Sequence, residues 1–103
     1  MFGMGVLCAL PAQAAEYVVD QQNKTFVMNG KQVEKMSINQ GDVIRFKNAD
    51  TFFHNIFSLS ETATFDVGSF PKGDSRTVKF EKKGKVDIEC AIHPDMYLEV
   101  DVK

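Results

Sequence analysis

The sequence predicts an all-β domain of about eight short strands, packed as a sandwich or barrel. Three observations predict it. Apolar and polar residues alternate with period two rather than recurring at helical spacing. Turn residues punctuate the chain roughly every ten residues, a spacing typical of sandwiches and barrels. Nine Phe occur in 103 residues, enough bulky apolar volume for a small domain without a disulfide framework.

The candidate strands are residues 17–19, 25–28, 34–38, 42–48, 53–59, 76–80, 85–90 and 96–102. Asn29-Gly30, Gln40-Gly41-Asp42, Pro71-Lys72-Gly73-Asp74 and Lys83-Gly84 supply the turns between them. Asn29-Gly30 is a two-residue hairpin signal, because both positions tolerate positive φ. Only residues 60–65 leave room for a short helical turn. The last two strands are the clearest. Val86, Ile88 and Cys90 share one face, and Lys85, Asp87 and Glu89 the other. Met96, Leu98, Val100 and Val102 likewise share a face, opposite Tyr97, Glu99 and Asp101. Cys90 and Met96 therefore point inward at the two ends of one short connection.

The chain's first fifteen residues carry no charge. Residues 1–10 are apolar or small, and Ala12-Gln13-Ala14 follows as an A-x-A cleavage pattern. Residues 1–14 are expected to be a signal peptide, without the usual basic start, and residues 15–103 the mature domain. Cleavage removes Cys8 and leaves Cys90 as an unpaired thiol in an oxidising compartment, which calls for an explanation. Cys8 is a poor lipid acceptor, since Gly5-Val6-Leu7 lacks the usual preceding pattern. The net charge of −2 gives no basic stripe for nucleic acid. No apolar run reaches the ~18 residues of a membrane span.

The chemistry concentrates in Cys90-Ala91-Ile92-His93-Pro94-Asp95-Met96. A thiolate, an imidazole and a thioether within one loop are soft or borderline ligands, and they suit copper better than magnesium or calcium. The only other histidine is His54. Two His, one Cys and a weaker Met form the ligand set of blue-copper electron-transfer sites. Taken singly, each residue has a plainer reading. Cys90 reads as a small buried hydrophobe, Met96 as core, and His54 as a satisfied core histidine. Taken together, both histidines and the one mature cysteine fit a single metal geometry.

This constellation resembles the cupredoxins, the small blue copper proteins. Gly41-Asp42-Val43-Ile44-Arg45-Phe46-Lys47-Asn48-Ala49-Asp50 is similar to the family's GD-x-V-x-F-x-N-x-D strand. His54-Asn55-Ile56 is similar to its first-histidine motif, and Cys90-x-x-His93-Pro94-x-Met96 to its ligand loop. The short gap between His93 and Met96 is nearest the amicyanin-like branch; plastocyanins and pseudoazurins have a longer one. The resemblance implies a Greek-key β-sandwich holding one copper ion that cycles between Cu(I) and Cu(II). It implies His54, Cys90 and His93 as equatorial ligands and Met96 as the axial one. It implies that Asn55 ties the two ligand segments together and donates a hydrogen bond near the Cys90 sulfur. His93 is expected to reach the surface and pass the electron, with Pro94, Met96, Phe52 and Phe53 as an apolar rim. Three positions depart from the family pattern. Ile88 stands where an aromatic is common, Leu98 where a glycine is, and Asp95 where amicyanins carry an aromatic. Asp95 makes the expected docking face more polar.

The resulting expectation is a periplasmic monomer that is not an enzyme and inserts in no membrane. It would carry single electrons between transient redox proteins of dehydrogenase or cytochrome type. Copper storage, delivery or sensing with the same ligands is the alternative. A zinc hydrolase built on His54, Cys90 and His93 is disfavoured, because no Asp or Glu beside them forms a recognisable acid–base motif.

Overall fold

A computed structural model describes residues 14–103. The expected signal segment and Cys8 fall outside the described residues, except for Ala14. The described chain forms ten strands: β1 (Glu16–Gln22), β2 (Thr25–Met28), β3 (Lys31–Gln32), β4 (Lys35–Ile38), β5 (Val43–Asn48), β6 (His54–Ser60), β7 (Ala63–Phe70), β8 (Ser75–Lys79), β9 (Gly84–Glu89) and β10 (Tyr97–Val102). Among the described residues there is no helix.

Two five-stranded sheets result, in the orders β3-β2-β1-β5-β8 and β4-β10-β9-β6-β7. Most neighbours are antiparallel, but β1 runs parallel to β5 and β4 parallel to β10. Alternation does the packing. Val19 and Gln21 of β1, Ile44 and Phe46 of β5, and Leu98, Val100 and Val102 of β10 are all buried, while their neighbours face out. Phe26, Phe46, Phe70 and Phe80 are fully buried in one core with Ile56, Val86 and Ile88. Burying each such ring stabilises the fold by roughly 1.5–3 kcal/mol. Phe26 and Phe46 meet edge to face, with centroids 6.2 Å apart.

Eight of the ten strands coincide with expected ones, with ends shifted by a few residues. Two differ. β3 pairs two residues to β2 across the Asn29-Gly30 turn, whose φ values of 55° and 79° match the hairpin expectation. β7 is a full eight-residue strand and overturns the expected helical turn at residues 60–65. Thr64 and Phe65 pair with Leu59 and Ser58 of β6. A register shift between Asn55 and Phe57 breaks the regular ladder. A second hairpin, between β1 and β2, turns at Asn23-Lys24 with φ values of 54° and 59°.

The sandwich has two ends. At one, the start of β6 meets the end of β9, which sets His54 beside Cys90. At the other, the start of β5 meets the chain from Ala15, and Gln40 N–H bonds to the Lys103 carbonyl (2.8 Å).

Candidate metal centre

Each donor reaches the site for a separate structural reason. His54 opens β6 and is fully buried. Cys90 follows β9 and continues the inward phase of Val86 and Ile88. His93 lies in the loop between β9 and β10 and is half-buried. That loop is closed by Met96 N–H donating to the His93 carbonyl at 2.9 Å. Met96 itself is buried just before β10. It therefore lies beneath the loop and not on the expected surface rim.

The donor atoms converge. Cys90 Sγ lies 3.7 Å from His54 Nδ1 and 4.0 Å from His93 Nδ1, and the two Nδ1 atoms are 3.1 Å apart. An ion held at about 2.0 Å from nitrogen and about 2.3 Å from sulfur needs three donors roughly 3.3–3.8 Å apart. The 3.7 Å side falls within that range, while the 3.1 and 4.0 Å sides lie just outside it, so small side-chain shifts would seat one such ion, and all three atoms lie within 4.8 Å of one another. Soft sulfur with two imidazoles is the donor set for copper or zinc rather than a hard cation.

His54 is held from behind. Its Nε2 lies 2.6 Å from Asp50 Oδ2. A carboxylate there accepts the Nε2 proton, which leaves the Nδ1 lone pair free to face the other donors. Asp50 is in turn fixed by the β1–β2 turn. Asn23 N–H donates to its Oδ1 (2.6 Å) and Lys24 N–H to its Oδ2 (3.1 Å). Burial works to raise the Asp50 carboxyl, but the His54 hydrogen bond, the two turn amides and the His54 charge outweigh it and hold it below the usual carboxylate value. Asn48 completes the frame. Its Oδ1 accepts the Asp50 amide, and its Nδ2 donates to the Phe52 and Phe70 carbonyls. Asn48 and Asp50 stand in the Gly41–Asp50 sequence motif, which by itself assigns them no part in the site. The available signal was Asp50 four residues before a histidine that needs its tautomer set.

Asn55 bridges the ligand segments, since its Oδ1 accepts the Ala91 amide at 2.8 Å. Ala91 directly follows Cys90, so this bond ties the thiol's backbone to that of His54.

Around His93 the surface is apolar with charge at its edge. Phe52 packs on both imidazoles, 5.3 Å from His54 and 4.9 Å from His93 between centroids. Phe52, Phe53 and Ile92 are exposed, so both phenylalanines belong to the rim rather than the core. Lys24 Nζ stands 5.6 Å over the Phe52 ring. A shallow cleft of about 290 Å³ beside them is lined by Lys24, Ile92, His93, Pro94 and Asp95. Burial, then the charges of His54 and Lys24, push the His93 imidazole below its ordinary value, against a weaker upward pull from Asp50.

Fold and site together define a small two-sheet β-sandwich with a soft-donor metal pocket at one end. No protein-family model and no curated protein sequence matches the chain. Solved structures do. A methionine-to-alanine variant of amicyanin in its Cu(I) form aligns with a TM-score of 0.74 and 19% identity, over 92% of this chain and 87% of that one. A reduced tryptophan-to-tyrosine variant aligns with a TM-score of 0.74 and 22% identity, over 92% and 88%. The oxidised state of a proline-to-alanine variant gives 0.74 and 21%, over 85% and 82%. The chain therefore shares the two-sheet β-sandwich fold of these structures, the fold its sequence leads one to expect.

Proposed function

We propose that this chain is a type 1 copper protein that carries single electrons between redox partners outside the cytoplasm, and that it is not an enzyme. The convergence of His54 Nδ1, Cys90 Sγ and His93 Nδ1 at one buried point carries the reading. Copper, when bound, supplies a one-electron Cu(I)/Cu(II) couple. The chain's own residues do the rest. Cys90 would be the covalent donor, His54 and His93 the imidazole ligands, and Met96 a weaker thioether ligand. Asp50 holds the His54 proton on Nε2, and Asn55 holds the two ligand segments at fixed separation. Ligands on strands and on a loop pinned by hydrogen bonds move little, which favours fast exchange of an electron. His93 is the one half-exposed donor and faces the Phe52, Phe53 and Ile92 rim, so it is the exit. A transient redox partner of dehydrogenase or cytochrome type would meet that rim, in keeping with the small interfaces of such encounters.

The test is to add Cu(II) to the purified metal-free protein and record its visible spectrum. An intense thiolate-to-copper band, lost in Cys90→Ala, is expected. Reversible cyclic voltammetry of the loaded protein is expected of a carrier. A bound copper that exchanges no electron with an electrode would instead favour storage or delivery.

A further inference from the structure

The motif residue Asp42 plays no part in the metal centre and lies at the opposite end of the sandwich. Its carboxylate is buried, with 4% of the residue exposed. Oδ1 accepts the Ala15 amide and Oδ2 the Asn39 amide, both at 2.9 Å. Its own amide donates to the Asn39 carbonyl (2.9 Å), and its carbonyl accepts the Phe80 amide (3.0 Å). Ala15 is fixed a second time, by Val43 N–H donating to its carbonyl at 2.9 Å. The charges nearby are already paired with one another. Glu16 holds Arg45 (3.2 Å), Glu81 holds Lys79 (3.8 Å), and Asp101 holds Lys103 (3.6 Å). Among the described residues no cation lies within ion-pair distance of Asp42. A buried carboxylate met only by neutral amides is an incomplete site, because burial of a charge is costly unless a counter-charge meets it.

Among the described residues the one donor aimed at Oδ1 is the nitrogen of Ala15, and Ala15 is the first residue left by cleavage after Ala14. We propose that Asp42 is the receptor for the α-ammonium created when the Ala14–Ala15 bond is cut. In that step a signal peptidase adds water across the peptide bond. Ala14 leaves as a carboxylate and Ala15 gains an amine, which is protonated at neutral pH. The new ammonium stands where the amide stood and completes an ion pair with Asp42. Processing thereby locks the start of β1 onto the start of β5, and the uncut chain lacks that charge. This inference rests on the export reading above. It is independent of copper.

The sign of the pH dependence follows. An α-amine that gains a carboxylate partner has its pKa raised above the ordinary value of about 7.7–8.0. The added stability is full below that value and is lost as pH rises through the raised one. The experiment expresses the full chain for bacterial export and determines the mass of the product. It then measures thermal midpoints of the metal-free protein between pH 6 and 11. A second protein carries Gly-Ser inserted between Ala14 and Ala15, so cleavage leaves an amide at Ala15 and Asp42 intact. The expected product is residues 15–103. Its midpoint should exceed that of the insertion protein by several degrees at pH 6, and the gap should close by pH 11. Asp42→Asn should abolish the gap. A product starting elsewhere overturns the processing site. A product starting at Ala15 with no pH-dependent gap overturns the ion pair while leaving the export reading intact.

Discussion

Replacing Asn55 by Ala tests the tether between the two ligand segments. Asn55 is buried, and its Oδ1 is the acceptor for the Ala91 amide at 2.8 Å. Truncation removes that acceptor and leaves a partly buried N–H unpaired, which costs about 1–3 kcal/mol. In a domain of this size, each kcal/mol lowers the thermal midpoint by roughly 4–8 °C. Taking about 2 kcal/mol as central, Asn55→Ala should melt roughly 8–16 °C below the parent. Metal-free protein followed by circular dichroism is the assay, so copper does not mask the loss. Asn55→Asp keeps an acceptor oxygen and should fall between the two. If Asn55→Ala melted within about 2 °C of the parent, the tether would contribute nothing net, and the reasoning would be wrong.

The remaining predictions concern single groups. Asp50→Ala removes the Nε2 partner of His54 and the acceptor for both turn amides, and loss of such a partner typically weakens metal binding about 10–100-fold. A competitive chelator titration measures it, and unchanged affinity would contradict the role given to Asp50. Gln21 is fully buried, its Oε1 has no partner among the described residues, and its Nε2 reaches the Asn55 carbonyl only at 3.5 Å. Gln21→Met, of similar shape, should therefore raise the urea midpoint, by about 1 kcal/mol of stability; a lower midpoint would show that the weak amide bond matters more. Tyr97 donates to Asp87 at 2.6 Å. That bond first, then burial and the charges of Asp87 and Glu99, push its phenol up to about 12. A phenol raised in the folded state stabilises it below the unfolded value near 10 and stops doing so as pH rises through about 12. Ultraviolet titration in a Tyr17→Phe background should show this, and Asp87→Asn should lower the midpoint.

The last two strands were legible because each buries one full face, so Val86-Ile88-Cys90 and Met96-Leu98-Val100-Val102 alternate without interruption. The donors were legible for a chemical reason, since few sites combine a lone thiol, two imidazoles and a thioether. β7 was not. Its inward set of Ala63, Phe65 and Val67 is broken by Gly68, at φ +77°, before Phe70 turns inward again. The Asn23-Lys24 turn was hidden because Lys seldom adopts positive φ, and here two bonds to Asp50 compensate. Asp50 behind His54 was hidden as well, because a loop that folds back over four residues leaves no period to read. Phe52 and Phe53 could be core or rim from sequence, and only the path of that loop exposes them.

Electron paramagnetic resonance of the Cu(II)-loaded protein tests the central claim most directly. A Cys90 thiolate bound to copper beside His54 and His93 would delocalise the unpaired electron onto sulfur. The account predicts one copper per chain and an unusually small parallel hyperfine splitting. A large splitting typical of ordinary tetragonal copper, at the same stoichiometry, would contradict it.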